Sequence, residues 1–385
     1  VNFVLLSPHF PPNYVRFALA LRAHGVPVLG VGDAAWVDLA PALQAALTEY
    51  ATVRDLHDRE AVYRAVAWLV SRHGRIRAIE SFNEHWLDTE AWLRQAYNVP
   101  GLRPDTLAPL QSKAGMKALF ARAGVPFIPG ERVVDAAQVR AFVAREGLPI
   151  ILKPDVGVGA GDTWRVDTPA ELDQALTRPL DGYVIERFID GTIVSYDGLT
   201  DRAGEPVFVT SLVYGDGVME LVQQRRTVHF VSVRDVPADL EEAGRRIIRA
   251  AGLRERFFHL ELFRRTDGTL VALELNLRPP GGYIPEMMGL TCATDVYRAY
   301  ARVLATGQPP ERTLRVTNVA HVCRRDQRTY RRSHAELVAR LGASLALHAR
   351  VPEVFSAAMG DELYLVTDPD LDRLNRTVAW MIEEG

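Results

Sequence analysis

The stretch FHLELFRRTDGTLVALELNLR, residues 258–278, decides how the rest of the chain is read. Asp267-Gly268 at its centre is a favoured dipeptide for a two-residue hairpin turn, and apolar residues alternate on both sides of it. A two-residue loop pairs Thr266 with Thr269. Counting outward then sets Glu261 opposite Glu274 and His259 opposite Asn276. On the second strand Leu273, Leu275 and Leu277 take one face and Glu274, Asn276 and Arg278 the other, because strand side chains alternate. Two carboxylates opposed across a ladder repel each other. A counter-ion answers that repulsion, and Mg²⁺ takes hard oxygen ligands, typically one or two carboxylates beside phosphate oxygens and water. Glu261, Glu274 and the carbonyl of Asn276 supply such a set. Arg278, one step further on that face, can grip a phosphate or carboxylate with two parallel hydrogen bonds. The bland alternative is an amphipathic hairpin with a wet polar face, and the register argues against it.

A second stretch with chemistry lies upstream. KPDVGVGAGD, residues 153–162, falls between an apolar strand expected at Pro149–Lys153 and another at Thr163–Val166. No Gly-Lys-Ser/Thr follows and no helix opens directly after it, so it is not a Walker A loop. A glycine-rich hairpin can still wrap its N–H groups around phosphate, with Gly157, Gly159 and Gly161 allowing close backbone approach. Lys153 would add a point charge. Of 45 basic residues only Lys113, Lys117 and Lys153 are lysine. A chain this biased towards arginine keeps lysine where a compact ammonium suits phosphate better than a planar fork, a reading applied to Lys113 and Lys153 more than to Lys117.

Residues 1–104 alternate between strands (Phe3–Ser7, Pro27–Val31, Arg77–Ser81) and helices (Asn13–His24, Arg59–Arg72, His85–Tyr97), which implies a mostly parallel sheet. The first turn, Ser7 to Pro12, lacks G-x-G-x-x-G, so no dinucleotide is expected there. Glu84 and, less so, Glu80 stand at the end of a strand, where α/β sheets commonly bind ligands; Glu84 is the candidate substrate contact. A helix Lys113–Ala123 stops at Gly124, the capping box Thr168–Glu171 opens another, and Gly182–Ile189 reads as a strand. Residues 200–310 are strand-rich and then helical. From about 311 a last α+β unit holds a strand near Val316–Cys323 and a helix opened by Ser333–Glu336. Lone histidines such as His229 and His259 read as packing or surface residues, and the basic run from Arg324 to Arg332 as a solvated face.

The chain's 385 residues, 48% hydrophobic, are too many for one core and suit two or three packed parts. A net charge of -3 gives no basic field for nucleic acid. Cys292 and Cys323 cannot build a disulfide framework, no apolar run approaches the ~20 residues that span a bilayer, and the opening strand-like run lacks a signal-peptide pattern. A cytoplasmic protein without membrane partners is expected, although the missing initiator Met leaves a trimmed start open.

The order Lys113, Lys153 before a glycine loop, Glu186-Arg187-Phe188-Ile189, Glu261, then Glu274-x-Asn276-x-Arg278 resembles the ATP-grasp superfamily, particularly its biotin-carboxylase-like and amino-acid-ligase-like members. The resemblance runs from about residue 80 to 305. It implies an α/β and α+β architecture: a Rossmann-like domain over 1–104, an ATP-grasp domain over 105–310 with a lid at about 124–186, and a C-terminal α+β part over 311–385. By the same resemblance Lys113 and Lys153 contact ATP phosphates. Glu186 to Ile189 form the adenine hinge, largely through backbone groups of Arg187 and Ile189. Glu261, Glu274 and Asn276 bind Mg²⁺ (or Mn²⁺), and Arg278 steadies an acyl phosphate or its carboxylate precursor. The implied activity joins a small-molecule carboxylate to an amine, releasing ADP and phosphate, and a homodimer is a common assembly of such enzymes.

Two departures sharpen this expectation. Ile193 stands where the family often carries an acid for ribose. Pro279-Pro280-Gly281-Gly282 replaces the acid and histidine of biotin carboxylases, and no Met-Lys-Met biotinylation site is present. Carboxylation of biotin is therefore disfavoured, and Gly281 and Gly282 border the place where substrate would sit. A carboxylating or formylating relative and an ATP-binding regulatory protein remain as alternatives; the acid–Asn–Arg set argues against the last.

Overall fold

The computed structural model describes residues 2–157, 162–215, 227–310 and 313–385. Strands β1 (Asn2–Leu6), β2 (Val28–Gly32), β3 (Glu49–Thr52) and β4 (Ile76–Glu80) form a parallel sheet in the order β3-β2-β1-β4. Every residue of β1 and β2 is buried, as expected for parallel strands covered on both faces. Phe17 and Leu21 of the first helix cover one face, and Val62, Val66 and Leu69 of the helix Arg59–His73 cover the other.

A small antiparallel sheet follows. It consists of β5 (Gly130–Arg132), β6 (Ile150–Pro154), β7 (Trp164–Val166) and β8 (Tyr183–Arg187), in the order β5-β8-β6-β7. Val139 and Phe142 from one helix and Leu172 from another close on Ile150, Leu152, Val166 and Ile185, giving this lid-like unit a core of its own. The strand expected over Gly182–Ile189 ends at Arg187.

The remaining strands make one antiparallel sheet of eight in the order β13-β12-β9-β10-β11-β14-β16-β15. They are β9 (Thr192–Thr200), β10 (Pro206–Tyr214), β11 (Val228–Val233), β12 (Phe257–Arg264), β13 (Leu270–Asn276), β14 (Asn318–Arg324), β15 (Leu345–Arg350) and β16 (Glu362–Asp368). The sheet thus runs on through β14, β16 and β15 without a break near residue 311. Val194, Tyr196, Leu260 and Leu275 face the helices Lys113–Ala123 and Ala238–Ala251. Leu199, Phe208 and Phe257 face the helices Val15–Ala23 and Val296–Thr306. Alternation along β12 then puts His259 and Glu261 on the same side as Phe257.

The hairpin corrects one expectation while keeping its consequence. Glu261 pairs with Glu274 and His259 with Asn276. The turn, however, is not a two-residue loop. Arg265 N–H donates to Thr269 O at 3.0 Å, Gly268 N–H donates to Arg265 O at 2.9 Å, and Gly268 has φ 85°. These mark a three-residue loop closed by a left-handed glycine, which moves the register by one so that Arg264 meets Leu270 and Leu262 meets Ala272. Leu273 is the extra residue between Ala272 and Glu274. As a half-buried β-bulge it moves the register back, so Leu273 does not belong to the regular apolar face of Leu275 and Leu277.

The start of the basic run is a second correction. Arg324 and Arg325 are buried rather than solvated. Arg324 stacks 4.4 Å over the Tyr330 ring and donates to the carbonyls of Arg332 and Met381, closing the end of the C-terminal helix onto β14.

Candidate active site

Two buried lysines meet at one acid. Lys153 at the end of β6 lies 2.7 Å from one Glu186 oxygen, and Lys117 Nζ donates to the other at 2.7 Å and to Ile128 O at 2.9 Å. Burial works against charge on Glu186, yet Lys153 and Lys117 outweigh it and hold the carboxyl below its usual range. Burial likewise opposes the charge of Lys153, but Glu186, Glu274 and Glu261 raise its pKa overall. Lys113 opens its helix behind the N-cap Ser112. Its Nζ donates to Gly157 O at 3.0 Å and lies 3.8 Å from Glu274. Asp155 fixes that helix start, accepting from Ser112 Oγ and Ala114 N–H at 2.9 Å each.

The opposed acids are not equivalent. Burial raises the pKa of Glu274, with Lys113 and Lys153 pulling it down and Glu261 pushing it up. Desolvation opposes the charge of the partly buried Glu261 as well, but its pKa is lowered, by His259 first and then by Arg278 and Lys153. His259 Nε2 lies 3.6 Å from Glu261 Oε1, and its Nδ1 meets Asp197 at 2.6 Å. Asp197 accepts from Ser195 Oγ, which in turn accepts from Leu212 N–H at 2.9 Å. Although burial disfavours the imidazolium, Asp197 and Glu261 push His259 up to about 10. A positive His259 therefore backs one acid of the pair, and the two lysines sit near the other.

Arg278 leaves the end of the hairpin and lies 3.4 Å from Glu84 of the parallel domain. A buried ion network sets that junction. Arg256 donates to Leu277 O at 2.8 Å and to Glu90 at 3.0 Å, and lies 3.1 Å from Glu80; Arg94 binds Glu90 at 2.6 Å and Glu80 at 3.0 Å. Glu80 is thus a structural acid, whereas Glu84 Oε2 is buried with no hydrogen-bond partner. The Pro279–Gly282 loop is pinned from the N-terminal side, since Tyr14 Oη donates to Pro280 O and Asn13 Nδ2 to Gly282 O, both at 2.8 Å. At Gly282 the left-handed φ of 62° favours glycine, and a Cβ would also come within 2.0 Å of Met359 Cε at the end of the helix Glu353–Met359. Gly281 has open space around it.

At the expected hinge, Arg187 N–H donates to Pro129 O and Phe188 N–H to Pro149 O, while Ile189 N–H makes no backbone hydrogen bond among the described residues. Arg165 lies 4.0 Å over the Phe188 ring. Gly157, φ 130°, lies at the start of the glycine loop; Gly159 and Gly161 fall outside the described residues.

Residues 146–286 match the family model of the ATP-grasp domain. Over its whole length the chain superposes on the L-amino acid ligase of Bacillus licheniformis with a TM-score of 0.72, covering 100% of this chain and 99% of that one at 16% identity. Residues 146–286 thus carry an ATP-grasp domain, and the chain as a whole has the ATP-grasp fold. Among curated sequences this chain is 26% identical over 318 residues to the protein y4rH of Sinorhizobium fredii, covering 77% of this chain. It is 23% identical over 237 residues to an L-arginine-specific L-amino acid ligase of Bacillus subtilis, covering 59% of this chain. It spans 61% and 57% of the length of those two relatives.

The ATP-grasp fold brings Lys113, Lys153, Glu186, Glu261, Glu274, Arg278 and Glu84 into one connected set, linked by the contacts and charge couplings above. The donor set fits a hard cation: two opposed, partly buried carboxylates with an amide beside them, flanked by ammonium groups suited to phosphate. Four residues have roles that a reading of the sequence alone does not assign. Lys117 shares Glu186 with Lys153. His259 and Asp197 support Glu261 from behind, and the only hint was the expected cross-strand pairing of His259 with Asn276. Tyr214, whose burial and neighbours Glu261 and Asp197 keep its hydroxyl protonated, carries no signal in the sequence at all.

Proposed function

We propose that this protein is an ATP-dependent ligase that joins a small-molecule carboxylate to an amine through an acyl phosphate, releasing ADP and phosphate. One observation carries the reading: the opposed Glu261–Glu274 pair is coupled both to the Lys113 and Lys153 ammonium groups and to the Arg278 guanidinium. Glu261, Glu274 and Asn276 would hold Mg²⁺, and Lys113, Lys153 and Gly157 would hold ATP phosphates, with the backbone of Arg187 and Ile189 receiving adenine. Bound Mg-ATP supplies the phosphoryl group and neutralises its charge. Arg278 then aligns the substrate carboxylate bidentately, and Glu84, with an oxygen still free of donors, meets a donor group of the substrate. Ser195 and His259 beside Glu261 each bond Asp197 rather than each other, so no Ser–His nucleophile is assembled and the activated group is expected on the substrate rather than on the enzyme.

Hydroxylamine tests the proposal. With a productive carboxylate and Mg-ATP, hydroxamate and ADP should form in equal amounts without the natural amine, and Arg278→Ala should suppress both. AMP and pyrophosphate as products would overturn it.

A further inference from the structure

Three side chains from three separate elements converge at the edge of the eight-stranded sheet, none of them part of the ATP-grasp site. His334 opens the helix His334–Leu341, His348 lies on β15 and Glu362 opens β16. Their ligand atoms all lie within 4.8 Å of one another. His348 Nε2 is 3.0 Å from Glu362 Oε1, and His334 Nδ1 is 3.6 Å from the same oxygen. The two imidazole rings are 4.4 Å apart, centre to centre. We infer that His334, His348 and Glu362 form a site for a divalent transition-metal ion of the Zn²⁺ class.

The donor chemistry selects the ion. Two imidazoles and one carboxylate suit Zn²⁺ and its neighbours, whereas Mg²⁺ and Ca²⁺ prefer oxygen throughout. Ligand atoms held about 2.0–2.1 Å from one Zn²⁺ are no more than about 4 Å apart, and both nitrogen–oxygen distances above already fall inside that limit.

The ligands are held in place before any ion arrives. The capping box of Ser333 and Glu336 fixes the helix start, and the buried Tyr364 lies 2.9 Å from His334 Nδ1 with its ring 5.0 Å from that of His348, tilted by 33°, so it contacts both rings. The arginines paired with Glu362 in register feel its charge but spend their hydrogen bonds elsewhere. Arg350 is committed to Asp326 at 2.6 and 2.8 Å, and Arg324 to backbone carbonyls. Glu362 is left facing the two imidazoles. A bound ion would tie the edge strand β15 to β16 and to the helix whose Leu337 and Leu341 cover that part of the sheet, leaving its fourth position open to water.

Zinc titration of the full chain tests this. Chelator-treated protein at pH 8 should bind one more equivalent of Zn²⁺ than His334→Ala/His348→Ala, and Zn²⁺ should raise its Tm reversibly with chelator. His348→Gln should weaken that equivalent at least about tenfold while melting like wild type in chelator. Equal Zn²⁺ stoichiometry and affinity in wild type and both variants, or no Zn²⁺ binding by wild type beyond what the double variant binds, would overturn the inference. Neither result bears on the ligase activity, which uses other residues.

Discussion

Glu84 and Arg278 approach to 3.4 Å across the junction of the parallel domain and the hairpin, yet the Glu84 oxygen nearest the guanidinium accepts no hydrogen bond. Burial pushes the Glu84 carboxyl up to about 7, in spite of Arg278 and with help from Glu274. The pair is therefore an acid kept near its neutral form beside a permanent cation, a combination that leaves Arg278 available for an incoming carboxylate.

The first prediction follows from that shift. Between about 4.5 and 7 the folded protein holds a proton on Glu84 that the unfolded chain has released. The stabilisation from this group is complete below the lower value and is lost as pH rises through the upper one, a difference on the order of 3 kcal/mol. Glu84→Gln should therefore have a higher Tm than wild type at pH 8 and a similar one at pH 4.5, with a reduced kcat/KM. Identical Tm profiles in the two proteins would show that Glu84 is not held protonated.

A second prediction concerns the opposed acids. Glu274 carries a raised pKa because burial and Glu261 disfavour its charge. Glu274→Gln should melt higher than wild type without Mg²⁺, lose the Tm rise that Mg-ATP gives the wild type by linkage, and release no ADP. ADP release at the wild-type rate would remove Glu274 from the metal set.

Lys153→Arg keeps the charge and changes its shape. Glu186 is buried between Lys117 and Lys153, both at 2.7 Å, and a planar fork cannot take the place of a compact ammonium there. The expected loss is at least about tenfold in kcat/KM, roughly 1.4 kcal/mol. Lys117→Met should instead lower Tm, because it leaves a buried carboxylate with one partner. An unchanged kcat/KM for Lys153→Arg would mark the lysine as incidental.

The hairpin shows what a sequence can and cannot disclose. Counting outward from a two-residue loop sets Glu261 opposite Glu274, and the pairing holds although the loop has three residues. The three-residue loop and the Leu273 bulge each shift the register by one, in opposite senses, and cancel. Turn signals constrain the loop locally, but a bulge is decided by the packing of Leu262, Ala272 and Leu275 against the helices above them. The same limit hid Lys117, Asp197 and Tyr214, since nothing in local order says which side chains of distant strands share a buried face. The adjacency of His334, His348 and Glu362 was invisible for that reason too. Arg324 and Arg325 were misread because a run of charge predicts solvent only where no buried carbonyls need donors, and Met381 O does.

The last prediction tests the support behind Glu261. His259 lies 2.6 Å from the fully buried Asp197 and 3.6 Å from Glu261, and is pushed up to about 10. A histidine whose folded pKa is raised contributes stability that is complete below its unfolded value, about 6.5, and is lost as pH climbs through the folded one. This window lies above that of Glu84, so the two separate in a pH series. His259→Leu should lose about 3 kcal/mol or more at pH 7, because it strands the Asp197 carboxylate in the core. His259→Leu/Asp197→Leu should recover much of that loss by removing the stranded charge as well. Neither variant should restore the metal site, because Glu261 then lacks the cation that keeps it ionised, so half-saturation with Mg²⁺ should need a higher concentration in both. If the double variant binds Mg²⁺ with the wild-type midpoint, His259 serves packing alone and Glu261 is held by Arg278 and Lys153 without it.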